Sequence, residues 1–146
     1  MISSMYPRIK NYIFLLLLLV SLSFRLNGQE ASADSGFVQI FYPNGQVSSE
    51  GIMKNDKPDG YWKTYYVTGV IKSEGKRTNF LLDSIWTFYN QAGEITQEIS
   101  YKLGEKSGYS KSYSYNNPEN PGQATLMAKE LYVRGKKEGS SYYYHP

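Results

Sequence analysis

Glu50, Glu74 and Glu98 recur at a constant spacing of 24 residues. Two carboxylates held about 5–10 Å apart across a cleft are the machinery of glycoside hydrolysis. On successive hairpins of one sheet these glutamates stand about 9.5 Å apart, two ladder spacings. A residue that returns once per unit is first a determinant of the unit, however, paired with a cation such as Lys63 or left in water. The single histidine, His145, is next to the last residue, and there is no cysteine. Neither a Ser-His-Asp nor a Cys-His nucleophile can be assembled, and a zinc site lacks its ligands. Asp56, Asp59 and Asp83 sit in turn-like segments, where aspartate bonds its own backbone; calcium needs six to eight oxygens at one point. No glycine loop leads into Lys-Ser or Lys-Thr to cradle a phosphate. The residues therefore describe no enzyme, no metal and no cofactor.

Rings remain. The chain holds 15 Tyr, 6 Phe and 2 Trp, residue types suited to half-buried sheet faces. Phe41, Tyr65, Tyr89, Tyr113 and, after an insertion, Tyr144 fall in one column, with Trp62 and Trp86 beside them. Their structural role is cross-strand packing. Their functional role is a stripe that offers contact area at low entropic cost to a protein strand, a peptide or a sugar.

The elements that carry these rings follow from self-similarity. Gly45, Gly69 and Gly93 align, as do Val47, Ile71 and Ile95, and so do the three glutamates. After Tyr113 the offset grows, because Pro118 to Gly122 lies in an insertion; beyond it Arg134 to Gly139 repeats the Asn55 to Gly60 element. A short fixed period means stacked supersecondary units, none of which buries its own face alone. Tyr61 to Tyr66 and Ile85 to Tyr89 read as aromatic strands closed by Thr68-Gly69 or Ala92-Gly93, and Asn44-Gly45 closes the first. The return strands end at polar segments such as Asn55 to Gly60, where Pro58 and Gly60 are expected to stop the strand. Nine strands result, as an up-and-down antiparallel meander. A two-residue turn at Thr68-Gly69 sets Lys63 against Glu74, Trp62 against Gly75 and Tyr66 against Ile71. The last strand, Ser140 to His145, is expected to leave Tyr142-Tyr143-Tyr144 as an open edge that invites another strand.

The remaining residues address the chain. Arg8 and Lys10 precede an apolar run from Tyr12 to Leu22, followed by polar residues, which is the layout of a secretory signal. Eleven to thirteen apolar residues rise about 17–20 Å as a helix, short of the ~30 Å hydrocarbon core, so no stable membrane span is expected after cleavage behind Gly28 or Ala33. The formal charge of +3 resides in Arg8, Lys10 and Arg25; the rest is balanced at 13 basic and 13 acidic residues. Nucleic acid is thereby removed as an electrostatic partner.

The unit Phe41-Tyr42-Pro43-Asn44-Gly45 to Glu50-Gly51, continued by Lys54-Asn55-Asp56-Lys57-Pro58-Asp59-Gly60-Tyr61-Trp62, resembles the MORN-repeat variants of many bacterial proteins. The resemblance spans roughly residues 37–144. It implies an elongated sheet of β-hairpins used for binding, and some bacterial members are labelled antitoxins. The chain departs from the pattern at Asn79 to Ser84, where apolar residues replace a glycine-lysine turn, and at Ser110 and Ser141, which replace tryptophan.

The reading is thus an all-β, elongated antiparallel hairpin meander of 24-residue MORN-like repeats over residues 37–146. A signal-peptide helix (1–28) and a short linker (29–36) precede it. Its expected function is that of an exported, non-enzymatic protein-binding or scaffold module in the periplasm, at the cell surface or outside the cell. The rival functions are an antitoxin- or immunity-like partner of a toxin, and a carbohydrate-binding module.

Overall fold

The computed structural model describes residues 35–116 and 122–144. These form a single antiparallel meander: β1 (Ser35–Phe41), β2 (Val47–Lys54), β3 (Lys57–Tyr65), β4 (Ile71–Thr78), β5 (Leu81–Tyr89), β6 (Ile95–Lys102), β7 (Glu105–Ser114), β8 (Thr125–Val133), β9 (Lys136–Lys137) and β10 (Tyr142–Tyr143). Strands β1 to β8 lie in sequence order, and β9 and β10 both pair with β8. No helix occurs among the described residues. The signal segment 1–28, most of the linker, Pro118 to Pro121 of the insertion and His145 lie outside them. Strand β1 begins at Ser35, two residues before the expected boundary. Of the ninth strand expected at Ser140 to His145, two residues form β10, and β9 lies in the Arg134 to Gly139 segment read as a connection.

Two kinds of turn alternate. At one end of the sheet Tyr42 and Tyr66 each donate their N–H across a three-residue loop, to Gln46 and Val70, and accept a bond from Gly45 and Gly69. Asn90, Gly93 and Glu94 repeat the arrangement. The glycines have φ of +83°, +84° and +83°, the left-handed position that ends a three-residue hairpin loop. These loops are one residue longer than the expected two-residue turns. A bulge at Lys72 restores the count: Tyr65, not Tyr66, faces Ile71, while Lys63–Glu74 and Trp62–Gly75 pair as expected. Ser48 and Thr96 are the same bulge in the neighbouring hairpins, and their hydroxyls donate to the carbonyls of Ile40 and Phe88.

At the opposite end Asn55-Asp56, Asn79-Phe80, Leu103-Gly104 and Arg134-Gly135 are two-residue turns with positive φ at both positions, the type I′ geometry that matches strand twist. Pro58 and Gly60 do not stop a strand there; both lie inside β3. Lys54 and Lys57 flank the turn as its hydrogen-bonded pair, so Pro58, opposite Met53, occupies a non-hydrogen-bonded position of that ladder. Gly60 supplies a wide bulge. Gly51 faces Trp62 and Ile52 faces Asp59, leaving Gly60 and Tyr61 unmatched on β2. Ser84 and Ile85 do the same against β4.

Opposed residues share a face, which divides the sheet cleanly. On the back, one row runs Val38, Gly51, Trp62, Gly75, Trp86, Ile99, Ser110, Glu130. Among the described residues Trp62, Trp86 and Ile99 are the buried hydrophobic ones. Each indole lies on a glycine: a Cβ on Gly51 would fall 2.6 Å from the Trp62 ring, and one on Gly75 2.5 Å from the Trp86 ring. Each indole N–H bonds backbone opened by the wide bulge, Trp62 to the Ile52 carbonyl at 2.8 Å and Trp86 to the Lys76 carbonyl at 2.9 Å. The third unit has Ile99 opposite Ser110, large and small exchanged between strands.

The wide bulge needs a left-handed residue, and Ser84 (φ +60°) stands where Gly60 (φ +68°) and Gly108 (φ +108°) occur. A left-handed L-residue costs about 1–2 kcal/mol, of which glycine's extra unfolded entropy returns ~0.5–1. Ser84→Gly is expected to stabilise the fold by up to about 1 kcal/mol, read as a rise of ~3–6 °C in thermal midpoint. No rise would mean that the bulge relaxes around serine.

Candidate binding face

The front face carries a polar row through every ladder: Gln39, Glu50, Lys63, Glu74, Thr87, Glu98, Lys111, Lys129 and Tyr142. Tyr65, Tyr89 and Tyr113 lie two residues along their strands from this row, so they share its face as the spacing requires. Each hydroxyl donates to the glutamate of the preceding hairpin: Tyr65 to Glu50 at 2.5 Å, Tyr89 to Glu74 at 2.6 Å and Tyr113 to Glu98 at 2.8 Å. The three glutamates are thus committed to tyrosines. Lys63 stands between Glu50 and Glu74 in register, but the ion pair made on this face is Lys111–Glu98 at 3.1 Å. Gln39 donates to the second oxygen of Glu50 at 2.9 Å.

The bonds set the acidities. Desolvation, and then the bond to a carboxylate, push the Tyr65 and Tyr89 phenols up to about 12. Tyr113 is raised for the same reasons in the same order. The Tyr113 hydroxyl and then Lys111 hold Glu98 below the usual carboxylate range, and Gln39 and then Tyr65 do so for Glu50. These carboxylates are kept as anions at neutral pH, with their lone pairs filled by donors.

The remaining stripe residues are placed differently. Phe41 is on the front face and exposed, and it has no hydroxyl to tie down. Tyr144 is exposed, and at the C-terminal edge it is Tyr143 that bonds a glutamate, Glu130, on the back face. There Lys137 and then Tyr143 hold Glu130 down to about 2. Trp62 and Trp86 are 4% exposed and point to the back, so they do not join the tyrosine stripe. Odd and even positions of one strand cannot share a face. Three bonded positions separate Trp62 from Tyr65, which the alternation alone reveals. The expected C-terminal edge is two residues of β10, not the whole of Ser140 to His145.

A second column escaped the sequence reading. Phe37, Tyr61, Ile85 and Tyr109 also recur every 24 residues. They are on the front face, on the far side of the polar row from Tyr65 and Tyr89, and are 62%, 54%, 59% and 46% exposed. Tyr61 and Ile85 follow the left-handed bulge residues and have no partner on the preceding strand, which turns them outward. Phe37, Glu50, Ile52, Tyr61 and Lys63 line a shallow depression of about 330 Å³ on this side. Lys129 sits 4.1 Å above the Tyr109 ring. The column was legible as a period in the sequence. Its exposure depends on the bulges, which were not.

Among the described residues no three His, Cys, Asp or Glu side chains converge as metal ligands, and no helix there is long and apolar enough to cross a membrane. The front face combines phenols whose hydroxyls are bonded to glutamates, a polar row carrying both signs of charge, and a column of exposed apolar groups. Set against protein families, curated proteins and solved structures, the chain matches none.

Proposed function

We propose that the chain is an exported, non-enzymatic array of 24-residue MORN-like units that binds another protein on its front face. The observation that carries this reading is the exposed column Phe37, Tyr61, Ile85 and Tyr109 running beside the ordered charges of Glu50 to Lys111. Single exposed apolar residues are ordinary, whereas four in one column of a sheet face, with Ile52, Lys76 and Ser100 on the strands between them, offer a partner repeated apolar anchors set among polar groups. Tyrosines already held by Glu50, Glu74 and Glu98 lose little rotamer freedom on binding, so contact area comes at low entropic cost. Glutamates with their oxygens filled by tyrosine hydroxyls are poor catalysts, which supports the non-enzyme reading. The apolar run after Arg8 and Lys10 supports export.

The test is capture from the envelope and culture fractions by the tagged native chain and by the double variant Tyr61→Ser, Tyr109→Ser. Both positions are exposed, so the fold is retained and checked by circular dichroism. A partner held by the native chain is expected to bind the variant at least about tenfold more weakly, since losing two rings removes ~1–2 kcal/mol or more each at a contact centre. Undiminished capture moves the partner off this face. Retention on an insoluble polysaccharide, lost with the same rings, replaces the protein partner by a sugar.

A further inference from the structure

Strand β1 is the one long strand of the described residues that is paired on a single side. Strands β2 to β7 have neighbours on both sides, and the outer side of β8 carries β9 and β10. The two ends of the sheet differ in how they meet water. At the C-terminal end the outermost pieces are two residues each, interrupted at Glu138 to Ser141, with Lys136 and Lys137 in them. Short, broken, lysine-bearing edges resist further pairing. Strand β1 is seven residues, Ser-Gly-Phe-Val-Gln-Ile-Phe, with no charge and no proline.

The missing charge is specific. In the front row the positions equivalent to Gln39 are Lys63, Thr87 and Lys111. Lysine facing glutamate would complete the row in the first unit and would also guard the edge, yet glutamine occupies the one position of this column that lies on the edge.

The backbone of β1 is presented outward in order. Tyr42 donates its N–H to Gln46 of the neighbouring strand. The bulge at this end belongs to Ser48 on β2, so alternation along β1 is unbroken. Ile40 and Val38 therefore turn their N–H and C=O toward β2, and Phe41, Gln39 and Phe37 turn theirs away from the sheet.

We propose that β1 is the seam of a two-fold dimer, in which β1 of a second copy pairs antiparallel with it and Gln39 faces Gln39. This concerns the main-chain edge of β1 rather than the front-face column; the two share Phe37, while Tyr61, Ile85 and Tyr109 lie away from the seam. The occupant is a second copy because β1 is complementary to itself in this register. Phe37 meets Phe41 on the front, Val38 meets Ile40 on the back, and the outward groups of Phe37, Gln39 and Phe41 exchange on the order of six main-chain hydrogen bonds. The Gln39 amide gives one N–H to Glu50 and keeps a second N–H and its oxygen for the facing amide. The polar row then runs through the seam as Glu50, Gln39, Gln39, Glu50. The two glutamates are three ladder spacings apart, about 14 Å, beyond the screening length of physiological salt. A two-fold contact of this kind closes on itself and stops at two copies.

The test is the mass of the full chain by sedimentation, with amide exchange at Phe37, Gln39 and Phe41. The native chain is expected at twice its 16.7 kDa, with those three amides protected. Gln39→Lys restores the lysine of the column. Within one copy it bonds Glu50 as Lys111 bonds Glu98, but it sets two ammonium groups face to face at the two-fold. The variant is expected at the mass of one chain, with unchanged circular dichroism and about tenfold or greater acceleration of exchange at the three amides. If the lysine variant loses the fold, Gln39→Pro serves instead, because the main-chain N–H it removes points outward and only the side-chain bond to Glu50 is lost within the copy. A native chain at single mass up to its solubility limit overturns the proposal. So does a dimer that survives both substitutions, or a mass that grows without limit as in an open filament.

Discussion

Gly75→Ile and Trp86→Ser are each expected to destabilise the sheet severely, and the two together to cost clearly less than the sum of the single changes. Gly75 has no left-handed φ, so what forbids a side chain there is the Trp86 ring, 2.5 Å from where a Cβ would be. An isoleucine must push the indole off the back face and expose the Lys76 carbonyl, a cost of about 3 kcal/mol or more for overpacking. Trp86→Ser leaves the space above Gly75 empty and the same carbonyl without its donor, about 3–5 kcal/mol. The double variant reproduces the pair found one unit later, where Ile99 is buried opposite Ser110. A coupling energy of about 2–3 kcal/mol in favour of the double variant is expected from denaturant midpoints at unchanged slope. Recovery is incomplete, because Arg77 packs over the Trp86 ring at 5.4 Å and loses that contact. Strict additivity would show that Ile99 and Ser110 are not a compensated exchange.

That exchange shows where the sequence was and was not readable. The antiparallel meander, the pairing of Lys63 with Glu74 and of Trp62 with Gly75, and the common face of Tyr65, Tyr89 and Tyr113 follow from turn position and alternation alone. Two readings failed for one reason: each assumed regular ladders. The loop at Thr68-Gly69 is three residues long, and the register survives only because Lys72 is bulged out. Pro58 and Gly60, read as strand stops, are tolerated inside β3 because one sits at a non-hydrogen-bonded position and the other forms the wide bulge. The same bulge turns Tyr61 and Ile85 outward, which is why the more exposed column was overlooked. Placing Trp62 and Trp86 with the tyrosines was an error of parity, correctable from numbering. The Tyr–Glu bonds were within reach of the sequence too. Once Glu50 faces Lys63, Tyr65 is its diagonal neighbour, close enough for a long side chain.

Those bonds carry the second large effect, a loss of stability in alkali. Phenols ionise near 10 in an unfolded chain, whereas Tyr65 and Tyr89 are pushed up to about 12. Between these values the folded chain keeps two protons that the unfolded chain has released. The contribution of the two tyrosines is therefore complete below about pH 10 and is lost as pH rises to about 12. Two groups shifted by about two units each set an upper figure of about 5 kcal/mol at 1.36 kcal/mol per unit. Their partial exposure and solvent screening reduce this to about 2–3. The carboxylate side has the opposite sign: lowered Glu50 and Glu98 contribute above the usual carboxylate range and lose it as pH falls below. Phenolate absorbance is expected to show late-titrating tyrosines that shift to ordinary values on unfolding. The double variant Tyr65→Phe, Tyr89→Phe is expected to lose about 2–4 kcal/mol at neutral pH, as charge-assisted bonds do. It should also flatten the stability profile between pH 10 and 12, a slope that a merely packing role for the rings would leave in place. An unchanged alkaline slope in that variant would assign the slope to other tyrosines and reduce the Tyr–Glu ladder to geometry without energetic weight.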